Sequence, residues 1–123
     1  YSKKKKRTLI TMCSLYKEKI MQLNYDIVTK DEIIVRIQGD LDINTCDEFR
    51  DDLLEEYKKN PKDIRIDATD LSFIDSTGLG ALIKVYNELR DNNHKIYIDN
   101  IKKHVNKVFT ITEMDKIFVI KEI

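Results

Sequence analysis

The sequence predicts an α/β domain with a small mixed, mainly parallel sheet flanked by helices, in the order β-β-α-β-α-β-α-β. Three observations carry this. Two strand-like stretches, 23–29 and 33–38, stand side by side with only a short polar turn between them. Beyond them, segments with apolar residues at three- and four-residue spacing alternate with short β-branched runs. Strands separated by helices pair in parallel through right-handed crossovers, and the helices bury the sheet. A chain of 123 residues suits one domain and can bury a core without staples.

Leu23 to Thr29 reads as a first edge strand, and Lys30-Asp31 makes the turn. Ile33 to Gln38 is rich in β-branched residues, and Gly39 is expected to end it in a tight bend. Asp40 to Asn44 is then a loop. Asn44 or Thr45 is expected to cap the helix that follows, with Asp47 and Glu48 in its first turn. Cys46, Phe49, Leu53 and Tyr57 form its apolar stripe, the remaining charged positions are expected to face water, and Asn60-Pro61 stops it.

Asp63 to Ala68 alternates, with Ile64, Ile66 and Ala68 on one face. A helix is expected over Thr77 to Asp91, with Leu79, Leu82, Ile83, Tyr86 and Leu89 inward. Lys95 to Asp99 is the next strand, Val105, Val108 and Phe109 mark a short helix, and Ile117 to Ile120 makes a last strand.

Composition removes several function classes. Apolar residues make up 41% and charged residues 36%, which suits a soluble folded domain rather than a disordered chain. No run approaches the ~20 apolar residues of a membrane span. Cys13 and Cys46 read as unpaired thiols of a cytoplasmic protein, and His94 and His104 as structural or surface side chains; no metal site is expected. The net charge of zero hides an asymmetry. Residues 1–20 hold seven Lys/Arg and one Glu, while the remainder holds fifteen basic and twenty-one acidic residues. The acidic part argues against nucleic acid and suits a protein partner with a basic face. Residues 1–20, with Lys3-Lys4-Lys5-Lys6-Arg7, are expected to be an accessory or non-native extension. Met21 is a plausible start of the domain, which then spans 21–123.

Between strand and helix lies Asp70-Leu71-Ser72-Phe73-Ile74-Asp75-Ser76-Thr77-Gly78-Leu79-Gly80. It reads as a loop that brings free N–H groups and a helix dipole to one place. Ser76 falls where the helix should begin, so its hydroxyl is expected to cap the first turn. A phosphoryl group on it would sit beside a helix N-terminus, which tolerates a dianion. Asp40, Asp42, Asp70 and Asp75 read as solvated carboxylates before a cation site. There is no glycine-rich nucleotide motif and no histidine base beside Ser76, so no catalytic residue and no cofactor is expected.

This string, with Gly39-Asp40-Leu41-Asp42 upstream at a fitting spacing, resembles the signature of the STAS domain family, in particular bacterial anti-sigma-factor antagonists. The resemblance spans about Leu23 to Ile120. Members often carry a further helix after the last strand; these 123 residues do not include one. The resemblance implies a regulatory binding module, not an enzyme. It would bind an anti-sigma factor with serine kinase activity and so release a sigma factor for transcription. Phosphorylation at Ser76, with Thr77 as the fallback acceptor, would switch binding off, and a PP2C-type phosphatase would reset it. Asp42, Asn44, Asp75, Ser76, Thr77, Gly78, Leu79 and Gly80 would form the partner-binding set. In it Asp75 fixes the loop, Gly78 and Gly80 admit the partner's backbone, and Leu79 is either core or contact. Neither nucleic acid nor membrane would be a direct partner. One rival is a STAS module that scaffolds a transport or stress-signalling assembly without Ser76 turnover. The other is an adaptor held to a membrane or nucleic acid by a native basic arm.

Overall fold

The computed structural model describes residues 4–6 and 23–122; the remaining expectations for the arm, and those for Cys13 and Met21, lie outside the described residues. The strands are β1 (Lys4–Lys6), β2 (Leu23–Thr29), β3 (Ile33–Leu41), β4 (Ile64–Ile74), β5 (Ile96–Ile101) and β6 (Val119–Glu122). The helices are α1 (Cys46–Lys59), α2 (Ser76–Arg90) and α3 (Lys103–Ile111), and a 3₁₀ turn at Met114–Lys116 precedes β6. The strands form one sheet in chain order, antiparallel from β1 to β3 and parallel from β3 to β6. The mixed, mainly parallel sheet expected from the sequence is therefore present.

Each parallel crossover adds its strand on the same side of the last. With right-handed connections that order stacks the helices on one face of the sheet. Burial follows. Tyr25, Ile27, Val35, Ile37, Ile64, Ile66, Ala68, Ile96 and Ile98 are buried together with Phe49, Leu53, Tyr57, Leu82, Val85, Leu89, Val105 and Phe109 from the helices. The alternate residues, such as Arg36, Gln38, Arg65, Asp67, Tyr97 and Asp99, lie on the open face at least partly exposed. That face is held by ion pairs. Arg65 spans Glu32 at 2.9 Å and Asp99 at 2.8 Å, with its guanidinium 4.4 Å over the Tyr97 ring.

Several boundaries differ from the sequence reading. Gly39 does not end its strand. β3 runs on to Leu41, and Gly39 sits inside it at φ 112°, beside a register shift against β4. Glycine there permits an irregularity that a side chain would strain. β4 runs on to Ile74 and α2 begins at Ser76, so the signature is strand up to Ile74 and helix from Ser76, with only Asp75 between them, rather than a loop. In α1 one charged side chain is buried: Glu56 accepts from the Thr29 hydroxyl and from Asn60, tying the helix end to β2. In α2, Ala81 and Val85 are buried while Ile83 and Tyr86 are half-buried, so the inward stripe is rotated from the expected one. The last strand starts at Val119, because the 3₁₀ turn takes up the chain before it and Phe118 packs into the core.

Candidate functional site

β3 and β4 are parallel neighbours, and Leu41 pairs with Ile74 at their carboxyl ends. The chain leaves both strands at the same edge, so the 42–45 loop and the start of α2 must meet there. The Asp75 backbone N–H donates to the Leu41 carbonyl at 3.3 Å, fastening one to the other.

Asp75 is the N-cap of α2, with extended backbone at φ −112° and ψ −174°. Its Oδ1 accepts from the Thr77 N–H at 2.9 Å, the Gly78 N–H at 2.9 Å and the Thr77 hydroxyl at 2.5 Å. The Ile43 backbone, from the 42–45 loop, also favours the charged form of this carboxylate. Burial works against ionisation of Asp75, but its hydrogen bonds outweigh it and hold its pKa below the ordinary carboxylate value. Ser76 is therefore not the cap. It is the first helical residue, exposed, and its hydroxyl has no hydrogen-bond partner among the described residues. The expected anion cradle is also filled: Thr77 and Gly78 donate to the Asp75 side chain and Leu79 to the Asp75 carbonyl.

The 42–45 loop is organised by its own polar groups. Asp42 Oδ1 accepts from the Asn44 N–H at 2.9 Å. The Asp42 carbonyl accepts from Thr45 at 3.1 Å and Cys46 at 2.9 Å. Thr45 holds the cap position of α1, but its hydroxyl does not bond to the helix; it donates to the Asp40 carbonyl at 2.8 Å and accepts from the Asp42 N–H at 3.0 Å. Asn44 is exposed. Cys46 is buried at the start of α1. Burial pushes its thiol pKa up, and the charge of Asp47, whose carboxylate accepts from the thiol at 3.7 Å, adds to this.

Three residues of the expected partner-binding set are turned inward. Gly78 is buried against Leu41, so the close approach it permits is within this chain. Leu79 is core, at 5% exposure. Thr77 is half-buried and locked onto Asp75. Gly80 has open space around it. Two exposed apolar side chains, absent from the sequence reading, sit at the same edge: Ile43, at 67% exposure, and Phe73, at 48%. Neither left a signal in the sequence: strand alternation puts Phe73 on the face of buried Leu71, and only the register shift at Ser72 turns it out, while Ile43 belongs to no periodic stripe.

The histidines bond elsewhere. His94 Nδ1 meets the Tyr57 hydroxyl at 2.6 Å, and His104 Nε2 meets the Ser72 carbonyl at 2.8 Å. Among the described residues, no three His, Cys, Asp or Glu side chains converge as metal ligands, and no helix is long and apolar enough to cross a membrane.

Residues 24–123 match the STAS domain family. The chain belongs to that family. The STAS resemblance expected from the signature is thereby established, and it extends to curated relatives. The chain is 27% identical over 103 residues to the anti-sigma-B factor antagonist of Staphylococcus epidermidis, covering 83% of this chain and 95% of that protein. Two solved structures share the STAS fold. An anti-sigma factor antagonist from Mycobacterium paratuberculosis superposes with a TM-score of 0.72 at 18% identity, over 81% of this chain and 86% of that one. The Bacillus cell fate determinant SpoIIAA, in its phosphorylated form, superposes with a TM-score of 0.63 at 21% identity, over 80% of this chain and 90% of that one.

Proposed function

We propose that this STAS domain is an anti-sigma-factor antagonist, a binding module rather than an enzyme, whose docking face is the edge where β3 and β4 end. Its partner is an anti-sigma factor with serine kinase activity; capture of that partner frees a sigma factor. Phosphorylation of Ser76 ends the capture and a PP2C-type phosphatase restores it. The contact surface comprises Ile43, Asn44, Phe73, Ser76 and Gly80, with Asp42 and Asp75 shaping the two loops beneath it.

The observation that carries this reading is the contrast between adjacent hydroxyls. Ser76 is exposed and free, at the edge where the 42–45 loop presents Ile43 and the end of β4 presents Phe73 to solvent. Thr77 is bonded to Asp75 and half-buried. A kinase reaches the first without disturbing the fold and the second only by breaking the cap. Because the Thr77, Gly78 and Leu79 N–H groups are already used, the Ser76 N–H is, among the described residues, the one donor of the first helical turn left to a phosphoryl group on Ser76. The phosphoryl group projects toward the partner, where an unmatched dianion in a desolvated contact costs on the order of 2–5 kcal/mol.

Incubation with the cognate anti-sigma kinase and ATP, followed by mass mapping, tests this. A single phosphoryl group on Ser76 is expected. Modification of Thr77 would move the switch, and no modification at all would favour a non-switching scaffold.

A further inference from the structure

We propose that the outer face of α3 is a second docking surface, and that it takes a short acidic segment of a partner protein. The inference does not depend on Ser76 being a switch. α3 is anomalous in this domain. Residues 21–123 carry six more acidic than basic groups, yet the nine residues of α3 contain no Asp or Glu, and Lys102, Lys103, His104 and Lys107 cluster at and just before its first turns. Lys103, His104 and Lys107 are exposed. Neither lysine makes an ion pair among the described residues, so a partner carboxylate displaces nothing but water.

Beside this face runs a groove of about 500 Å³, lined by Lys103, His104, Asn106, Lys107, Thr110 and Glu122. Its one carboxylate, Glu122, accepts from the Asn106 side chain at 2.7 Å. The N-terminal end of α3 is anchored, because His104 is bonded to the Ser72 carbonyl of β4. The lysines therefore stand on a fixed helix rather than a loose tail.

Charge complementarity selects an anionic occupant, and its extent selects the class. A groove of this volume accommodates a few side chains. A nucleic acid or an anionic bilayer presents charge over a much wider area and would meet the acidic remainder of the domain. A short run of Asp or Glu engages the lysines without that opposition.

The test titrates the isotope-labelled protein with an octaglutamate peptide, with a thymidine octanucleotide and with phosphatidylserine vesicles, following backbone amides by NMR. The peptide is expected to shift amides of 102–110 and of β6. The double variant Lys103→Glu/Lys107→Glu is expected to weaken the peptide by about tenfold or more, as reversed rim charges do. Lys103→Gln/Lys107→Gln serves the same purpose if the charge-reversed chain fails to fold. Raising the salt from about 50 to 300 mM should weaken the complex further. No shift on α3, a peptide affinity unchanged in both variants, or tighter binding of the oligonucleotide or vesicles at this face would overturn the proposal.

Discussion

Gly78 of α2 lies so close to Leu41 of β3 that a β-carbon on it would come within 2.3 Å of the Leu41 carbonyl oxygen. This contact lets the start of α2 sit directly on the end of β3, and so brings the two loops of the candidate site together. The obstructing atom is backbone and cannot swing away. Gly78→Ala should therefore destabilise the fold by about 1–3 kcal/mol, as overpacking does. Gly80→Ala, with nothing within 4 Å of the new methyl group, should stabilise it by about 0.5–1 kcal/mol through helix propensity. Urea unfolding of both variants distinguishes the two glycines, and equal effects would contradict this packing.

The cap assignment separates three neighbouring residues. Ser76→Ala removes no bond of the fold and should stay within about 0.5 kcal/mol of the parent. Thr77→Ala loses the hydroxyl bond to Asp75 and should cost about 0.5–1.5 kcal/mol. A larger loss at Ser76 than at Thr77, read from thermal melts, would restore Ser76 as the cap.

Asp75 also makes stability depend on pH. Its folded pKa lies below its unfolded value, because its hydrogen bonds to Thr77 and Gly78 outweigh burial. Its contribution is fully present above the unfolded carboxylate pKa of about 3.9 and is lost as pH falls through the lower folded value. Asp75→Ala should cost about 0.5–2 kcal/mol at neutral pH. The gap between variant and parent should narrow as pH falls below about 4. A gap of the same size at both ends of the range would show that the charge of Asp75 is not what holds the loops.

The open face of the sheet makes a different demand. Arg65 reaches Glu32 with two nitrogens, Asp99 with a third, and lies over Tyr97. Partly exposed pairs of this kind contribute about 0–1 kcal/mol each, so Arg65→Ala should cost about 1–2 kcal/mol. Arg65→Lys should recover little, since one ammonium cannot bridge both carboxylates. Urea unfolding at low and high salt checks this; a lysine variant as stable as the parent would contradict it.

Element order and type from β2 onward were legible because the periodicities were clean. β1 was not, since a run of lysines carries no strand pattern, and Leu23 to Thr29, read as the edge strand, has β1 paired along its outer side. The Cys46, Phe49, Leu53, Tyr57 stripe and the alternation from Ile64 to Ala68 each allow one reading, and the structure buries both sets. The site was legible in part. Asp75-Ser76-Thr77 announced a helix start, but not which residue capped it: any of the three side chains can cap, and only the extended backbone at 75 decides. The inward roles of Gly78 and Leu79 come from the contact between α2 and the end of β3, a tertiary relationship with no local signature. Glu56 was misplaced for the same reason, since its partner Thr29 lies on a distant strand.

The central claim is that a phosphoryl group on Ser76 blocks the docking face without refolding the domain. Calorimetric titration of the anti-sigma factor with the Ser76-phosphorylated and unphosphorylated proteins tests it most directly, with amide shifts recorded on the same two samples. The account predicts an affinity lower by about tenfold or more, equivalent to about 1.4 kcal/mol, with shift changes confined to 40–45 and 73–79. Equal affinities, or shift changes spread across the sheet, would contradict it.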